Sequence, residues 1–105
     1  MEKETTNHGK YVHEFKKPFK YEDKTYEKIE FDFSKLKGRD FLSIEKEVND
    51  SGELVFTASI STRFCIILAA RASAPQIGGD VIENMSIDDF SQIRNAARRF
   101  LTSTD

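Results

Sequence analysis

The side chains able to do chemistry in this 105-residue chain are few and scattered. His8 and His13 lie in or beside a polar N-terminus. A metal site there would need further ligands on a rigid element, so both are expected to be exposed, uncommitted histidines. Cys65 stands alone, which excludes an intramolecular disulfide and a cysteine-based zinc cage. Its setting, Phe64-Cys65-Ile66-Ile67-Leu68, predicts a buried, inert thiol. Gly78-Gly79 follows no strand-to-helix phosphate fingerprint. Carboxylates are plentiful, but they alternate along strands or dot helix surfaces, the usual solvated faces, and a hydrolase would need them grouped in a pocket. The expectation is therefore a non-catalytic protein with no cofactor and no metal.

Arg71, Arg94, Arg98 and Arg99 admit two readings. In the first, the arginines near the C-terminal end of a helix complement its dipole. In the second, the four form the surface of a small nucleic-acid-binding or regulatory module. Charge balance favours the first. Ten lysines and one arginine occupy residues 1–50 and five arginines the remainder, yet acids bring both halves close to neutral, so neither half is a basic footprint for phosphates. Nucleic acid is not an expected partner. No apolar run approaches the ~20 residues of a membrane span, and the polar start resembles no secretory or transit signal; the expected compartment is the cytoplasm.

The elements that hold these residues follow from periodicity. Residues 1–12 lack a pattern and are expected to form a disordered tail, with one domain over 13–105. From His13 to Phe33 the period is two. Phe15, Phe19 and Tyr21 share one parity, and Ile29, Phe31 and Phe33 alternate with Lys28, Glu30 and Asp32. Glu22-Asp23-Lys24-Thr25 reads as the hairpin turn, in which Asp23 could take a left-handed conformation, although Gly would be better. Pro18 marks the first strand as an edge or the site of a bulge.

Phe41, Ile44 and Val48 then recur at helical spacing in a helix of about three turns, with Asp40 in its first turn. Phe56, Ile60, Phe64, Ile67, Leu68 and Arg71 mark one face of a central helix starting near Ser59 and stopped by Ala74-Pro75, although Leu54–Thr57 could equally be extended. Its Phe64–Ala70 segment is apolar nearly all round, the pattern of a helix buried on more than one side. A short helical turn follows Gly78-Gly79. Ser86 caps a last helix whose core stripe is Phe90, Ile93, Ala97, Phe100 and Leu101, with Asp89 completing an imperfect capping box. The fold class is α+β: an N-terminal β-hairpin followed by three main α-helices and one short helical turn, in one small domain.

In this order, several phrases resemble the tail assembly chaperones of long-tailed bacteriophages, including the Mu-like tail protein encoded between the tube and tape-measure genes. These are Lys17-Pro18-Phe19, Lys24-Thr25-Tyr26, Leu36-x-Gly38-Arg39-Asp40-Phe41, Ala69-Ala70-Arg71-Ala72, Ile82-Glu83-Asn84-Met85-Ser86-x-x-Asp89-Phe90 and Arg99-Phe100-Leu101. The resemblance covers residues 15 to 101. Where members carry Gly in the hairpin turn this chain has Glu22-Asp23-Lys24, and where they place Thr or Ser before Gly-Arg-Asp it has Lys37. The stretch from Leu54 to Ser61 also fits the pattern poorly.

The resemblance implies a helper of tail morphogenesis that binds the long, helical tape-measure protein and is absent from the mature virion. Through a frameshifted longer form it would also meet the tail tube protein, and it could self-associate. Holding a helical client needs apolar surface beyond the protein's own core. Ile66 and Ala70, off the main stripe of the central helix, and Ile87 at the start of the last helix are the candidate contacts, with Arg94 and Arg98 beside them. The competing expectation buries Ile66 and Ala70 inside the fold or a homodimer.

Overall fold

The computed structural model describes residues 9–53, 57–58 and 61–102. Strand β1 (Lys10–Tyr21) and strand β2 (Lys24–Asp32) form the hairpin, and a 3-10 turn, Phe33–Lys35, leaves it. Helix α1 (Gly38–Asp50), helix α2 (Thr62–Ala72), a two-residue strand β3 (Ser73–Ala74), the short helix α3 (Gly79–Glu83) and helix α4 (Ile87–Thr102) follow. The α+β class and the hairpin-then-helices order match the sequence pattern. Strand β3 was not anticipated. It arises where α2 ends: Ser73 and Ala74 turn extended and pair with Phe31 and Glu30, giving an antiparallel sheet of order β1-β2-β3. A cis peptide joins Ala74 to Pro75.

The strand begins three residues before the expected boundary, since Lys10–Val12 belong to β1 rather than to a tail. Pairing is regular from Lys10↔Asp32 to Glu14↔Lys28. From Glu14 to Phe19, β1 then advances five residues while β2 moves only two, from Lys28 to Tyr26. This bulge holds Pro18, on a strand that is also the sheet edge, as a proline without an N–H donor requires. The ring faces stay continuous across it: Phe15 stacks on Phe19 at 5.6 Å, and Phe19 on Tyr26 at 6.1 Å.

The turn corrects a second expectation. Tyr21 pairs with Lys24, leaving Glu22 and Asp23 as the two turn residues, and the left-handed conformation falls on Glu22, with φ 56°, not on Asp23. A left-handed L-residue costs about 1–2 kcal/mol, part of which glycine would return to unfolded-chain entropy. Glu22→Gly is therefore expected to stabilise by roughly 0.5–1 kcal/mol. A thermal melt should show this as a rise of roughly 2–6 °C.

One face of the sheet is solvent and the other is core. Ile29, Phe31 and Phe33 on the inner face are almost completely buried, as their alternation predicts. Over them lie α2 and α4. Helix α2 is the centre of the core: Phe64, Cys65, Ile66, Leu68, Ala69, Ala70 and Ala72 are all buried. Its start lies later than expected because Ser61 caps it, accepting the Phe64 N–H at 3.1 Å. Phe56 and Ile60, placed on its face by periodicity, lie outside the described residues. Helix α1 contributes Ile44 and Val48. Its N-cap is Lys37, which lends no side-chain acceptor, and Asp40 Oδ2 supplies the other half of the cap by accepting the Lys37 N–H at 2.8 Å.

Candidate functional site

The most organised polar cluster joins the hairpin to α4. His13 is 1% exposed, a correction to the expectation of an exposed histidine; His8 lies outside the described residues. Its Nε2 is 2.8 Å from Asp89 Oδ1 and its Nδ1 is 2.8 Å from the Tyr11 hydroxyl. A carboxylate only accepts, so Nε2 carries the proton that Asp89 receives, and in the neutral ring Nδ1 accepts from Tyr11. Asp89 Oδ2 accepts from the Ser86 hydroxyl at 2.9 Å, and Ser86 Oγ accepts the Asp89 N–H at 3.1 Å. The expected Ser86 cap is thus present, and its carboxylate partner also ties the helix to the sheet. Burial pushes the Tyr11 phenol above its ordinary range; Arg99 opposes this and Asp89 adds to it. A phenol held protonated, and a histidine with both nitrogens engaged, make a structural bridge rather than an activated nucleophile. Strand parity carried the signal: His13 shares the inward parity of Phe15.

The expected client contacts separate. Ala70 is 6% exposed and Ile66 4%, so both belong to the core, as the competing expectation has it. Ile66 nonetheless lines a groove of about 410 Å³ with Ile67, Phe90, Thr62, Arg63, Glu53, Glu83 and Gly79. Ile66 and Ile67 of α2 and Phe90 of α4 are its apolar lining, α3 adds Gly79 and Glu83, and Arg63, Glu53 and Glu83 are its charged members. Arg63 Nε lies 3.6 Å from Glu53 Oε1.

Ile87, Phe90, Arg94 and Arg98 follow one another at helical spacings of three and four along α4, so they share one stripe, and Phe90 brings that stripe to the groove. Ile87 is 84% exposed, the most exposed large apolar residue described. Arg94 donates from Nε and Nη2 to Asn95 Oδ1 at 3.3 and 3.2 Å. Arg71 turns the other way, to α1: its guanidinium donates to Ser43 Oγ at 3.0 Å and lies 3.5 Å from Glu47 and 3.7 Å from Asp40. It acts as a clasp between α1 and α2. Leu42 on α1, which the sequence pattern did not single out, is 66% exposed.

Cys65 is fully buried, and burial raises its thiol above the ordinary range against the opposing Arg98 and Arg94 charges. Alkylation by a thiol reagent at pH 8 is therefore expected to wait on unfolding, with native protein reacting at least about a hundredfold more slowly than protein in denaturant. Equal rates would contradict its burial. Among the described residues, no three His, Cys, Asp or Glu side chains are grouped to hold a metal, and no helix is long and apolar enough to cross a membrane.

Compared with protein-family models, with curated proteins and with solved structures, the chain finds no match in any of the three.

Proposed function

We propose that this protein is a non-catalytic tail assembly chaperone that holds a helical segment of a phage or prophage tape-measure protein in the groove between α2 and α4. The reading rests on the phrase-by-phrase resemblance over residues 15 to 101. One structural observation supports it: a groove lined by the apolar Ile66, Ile67 and Phe90 among polar neighbours, with the exposed Ile87 three residues before Phe90 on α4. A single amphipathic helix recognised through apolar side chains at i, i+3, i+4 and i+7 suits such a groove. The mixed charges of Arg63, Glu53 and Glu83 in its lining fit a client helix whose flanks carry both signs.

Co-expression with the long helical protein encoded next downstream tests the proposal. The expected result is co-purification and transfer of that protein from the insoluble to the soluble fraction. A downstream protein that stays insoluble and unbound would overturn it.

A further inference from the structure

We infer that β1 is a self-complementary docking edge, through which two copies of this chain join their sheets antiparallel about a twofold axis at Val12. Backbone phase is the first argument. The Phe33 N–H donates to the Gly9 carbonyl at 2.7 Å, which makes Gly9 and Phe33 a hydrogen-bonded pair. Continuing the register, Tyr11↔Phe31 and His13↔Ile29 are the pairs that exchange bonds with β2. The N–H and C=O groups of Lys10, Val12 and Glu14 therefore point away from β2, toward the open side of a strand that ends the sheet. Only an even-numbered residue can form a hydrogen-bonded pair with an even-numbered residue of a second copy.

Side chains select one register among those this phase allows. With Val12 opposite Val12, Lys10 of each copy faces Glu14 of the other. Val12 is 47% exposed, and Lys10 and Glu14 are exposed on the same outer face. Within each copy Lys10 already lies opposite Asp32, and Glu14 opposite Lys28. Pairing the edges would extend these into rows of alternating sign: Asp32, Lys10, then Glu14 and Lys28 of the second copy, with the reverse row related by the axis. Each cross-strand pair of opposite charge is favourable and each like pair is not. Shifting by two residues in either direction sets Val12 against Lys10 or against Glu14 and loses both charge pairs.

The bulge limits the union to this segment. Past Glu14 the strand departs from regular pairing through Lys16, Lys17 and Pro18, residues that blunt an edge. The contact is therefore a closed dimer rather than the start of a filament. A five-residue ladder buries little surface, so the dimer forms reversibly and at high concentration. This inference is independent of the α2–α4 groove, which lies on the helical layer.

Sedimentation equilibrium across a wide concentration range tests it. The wild-type chain is expected to show a monomer–dimer equilibrium. Lys10→Glu and Glu14→Lys should each weaken it about tenfold or more when alone. Mixed one to one, they should restore it, because each then meets its complement.

Should either charge variant fail to fold, Val12→Cys gives a second readout. Hydrogen-bonded antiparallel partners lie about 5.5 Å apart at Cα, within disulfide reach, so mild oxidation should yield a covalent dimer. Lys28→Cys, about 20 Å from its symmetry mate by three strand spacings across and four residues along the strands, should not cross-link. A chain that remains monomeric throughout, or a dimer indifferent to the charge reversals and without a Val12→Cys cross-link, would overturn the inference.

Discussion

Truncating His13 to alanine is expected to lower the unfolding free energy by about 2–4 kcal/mol, a large fraction of what a domain of this size possesses. The imidazole is 1% exposed and meets Tyr11 and Asp89 at 2.8 Å on its two nitrogens. It also packs edge-on against Phe15, with ring centroids 4.8 Å apart. Its removal leaves a cavity beneath α4 and deprives Asp89 of a charge-assisted partner, two costs that add. The melting temperature should fall by roughly 8–25 °C. A double-mutant cycle with Asp89→Ala separates the bridge from simple packing: a coupling of about 1 kcal/mol or more identifies the bond. Independent, additive losses would show that the two side chains act separately.

Phe64→Ala is expected to cost more, about 3–5 kcal/mol. Phe64 is fully buried on α2, the helix on which both α1 and α4 pack. Its ring lies 4.8 Å from that of Phe41, so truncation opens a cavity and loosens α1 as well. Urea denaturation is the appropriate measurement: the midpoint should drop steeply. A loss below about 1 kcal/mol would mean that the α1–α2 junction repacks around the space.

Wherever one local rule acted alone, the fold was legible in the sequence. Alternation in Lys28–Phe33 placed Ile29, Phe31 and Phe33 inward, and the all-round apolar character of Phe64–Ala70 matched a helix buried on most sides. Ser86 was recognisable as a cap because its bond is local, three residues along the chain. What escaped depends on partners distant in sequence. His13 is buried because Asp89, 76 residues away, satisfies it. Strand β3 exists only because β2 offers it an edge. The left-handed turn residue is Glu22 because strand register places it first in the turn, where intrinsic preference would have chosen Asp23.

The candidate site was legible in part. Ile66 falls off the main stripe of the central helix and does line the groove although it is buried, while Ile87, at the start of the last helix, stands open to solvent three residues before the groove's Phe90. Ala70, off the same stripe, is core like Ile66 but does not line that groove. Periodicity specifies a direction around a helix; it does not specify what stands there.

The central claim is that the α2–α4 groove holds a helical client, and the affinity of Ile87→Asp for the downstream tape-measure protein tests it most directly. Ile87 is 84% exposed and begins α4, where aspartate complements the dipole, so the variant should fold as the wild type does. The account predicts that Ile87→Asp weakens binding about tenfold or more while Leu42→Asp, on α1, leaves it unchanged. Unchanged affinity for Ile87→Asp in a folded protein, or an equal loss for Leu42→Asp, would contradict it.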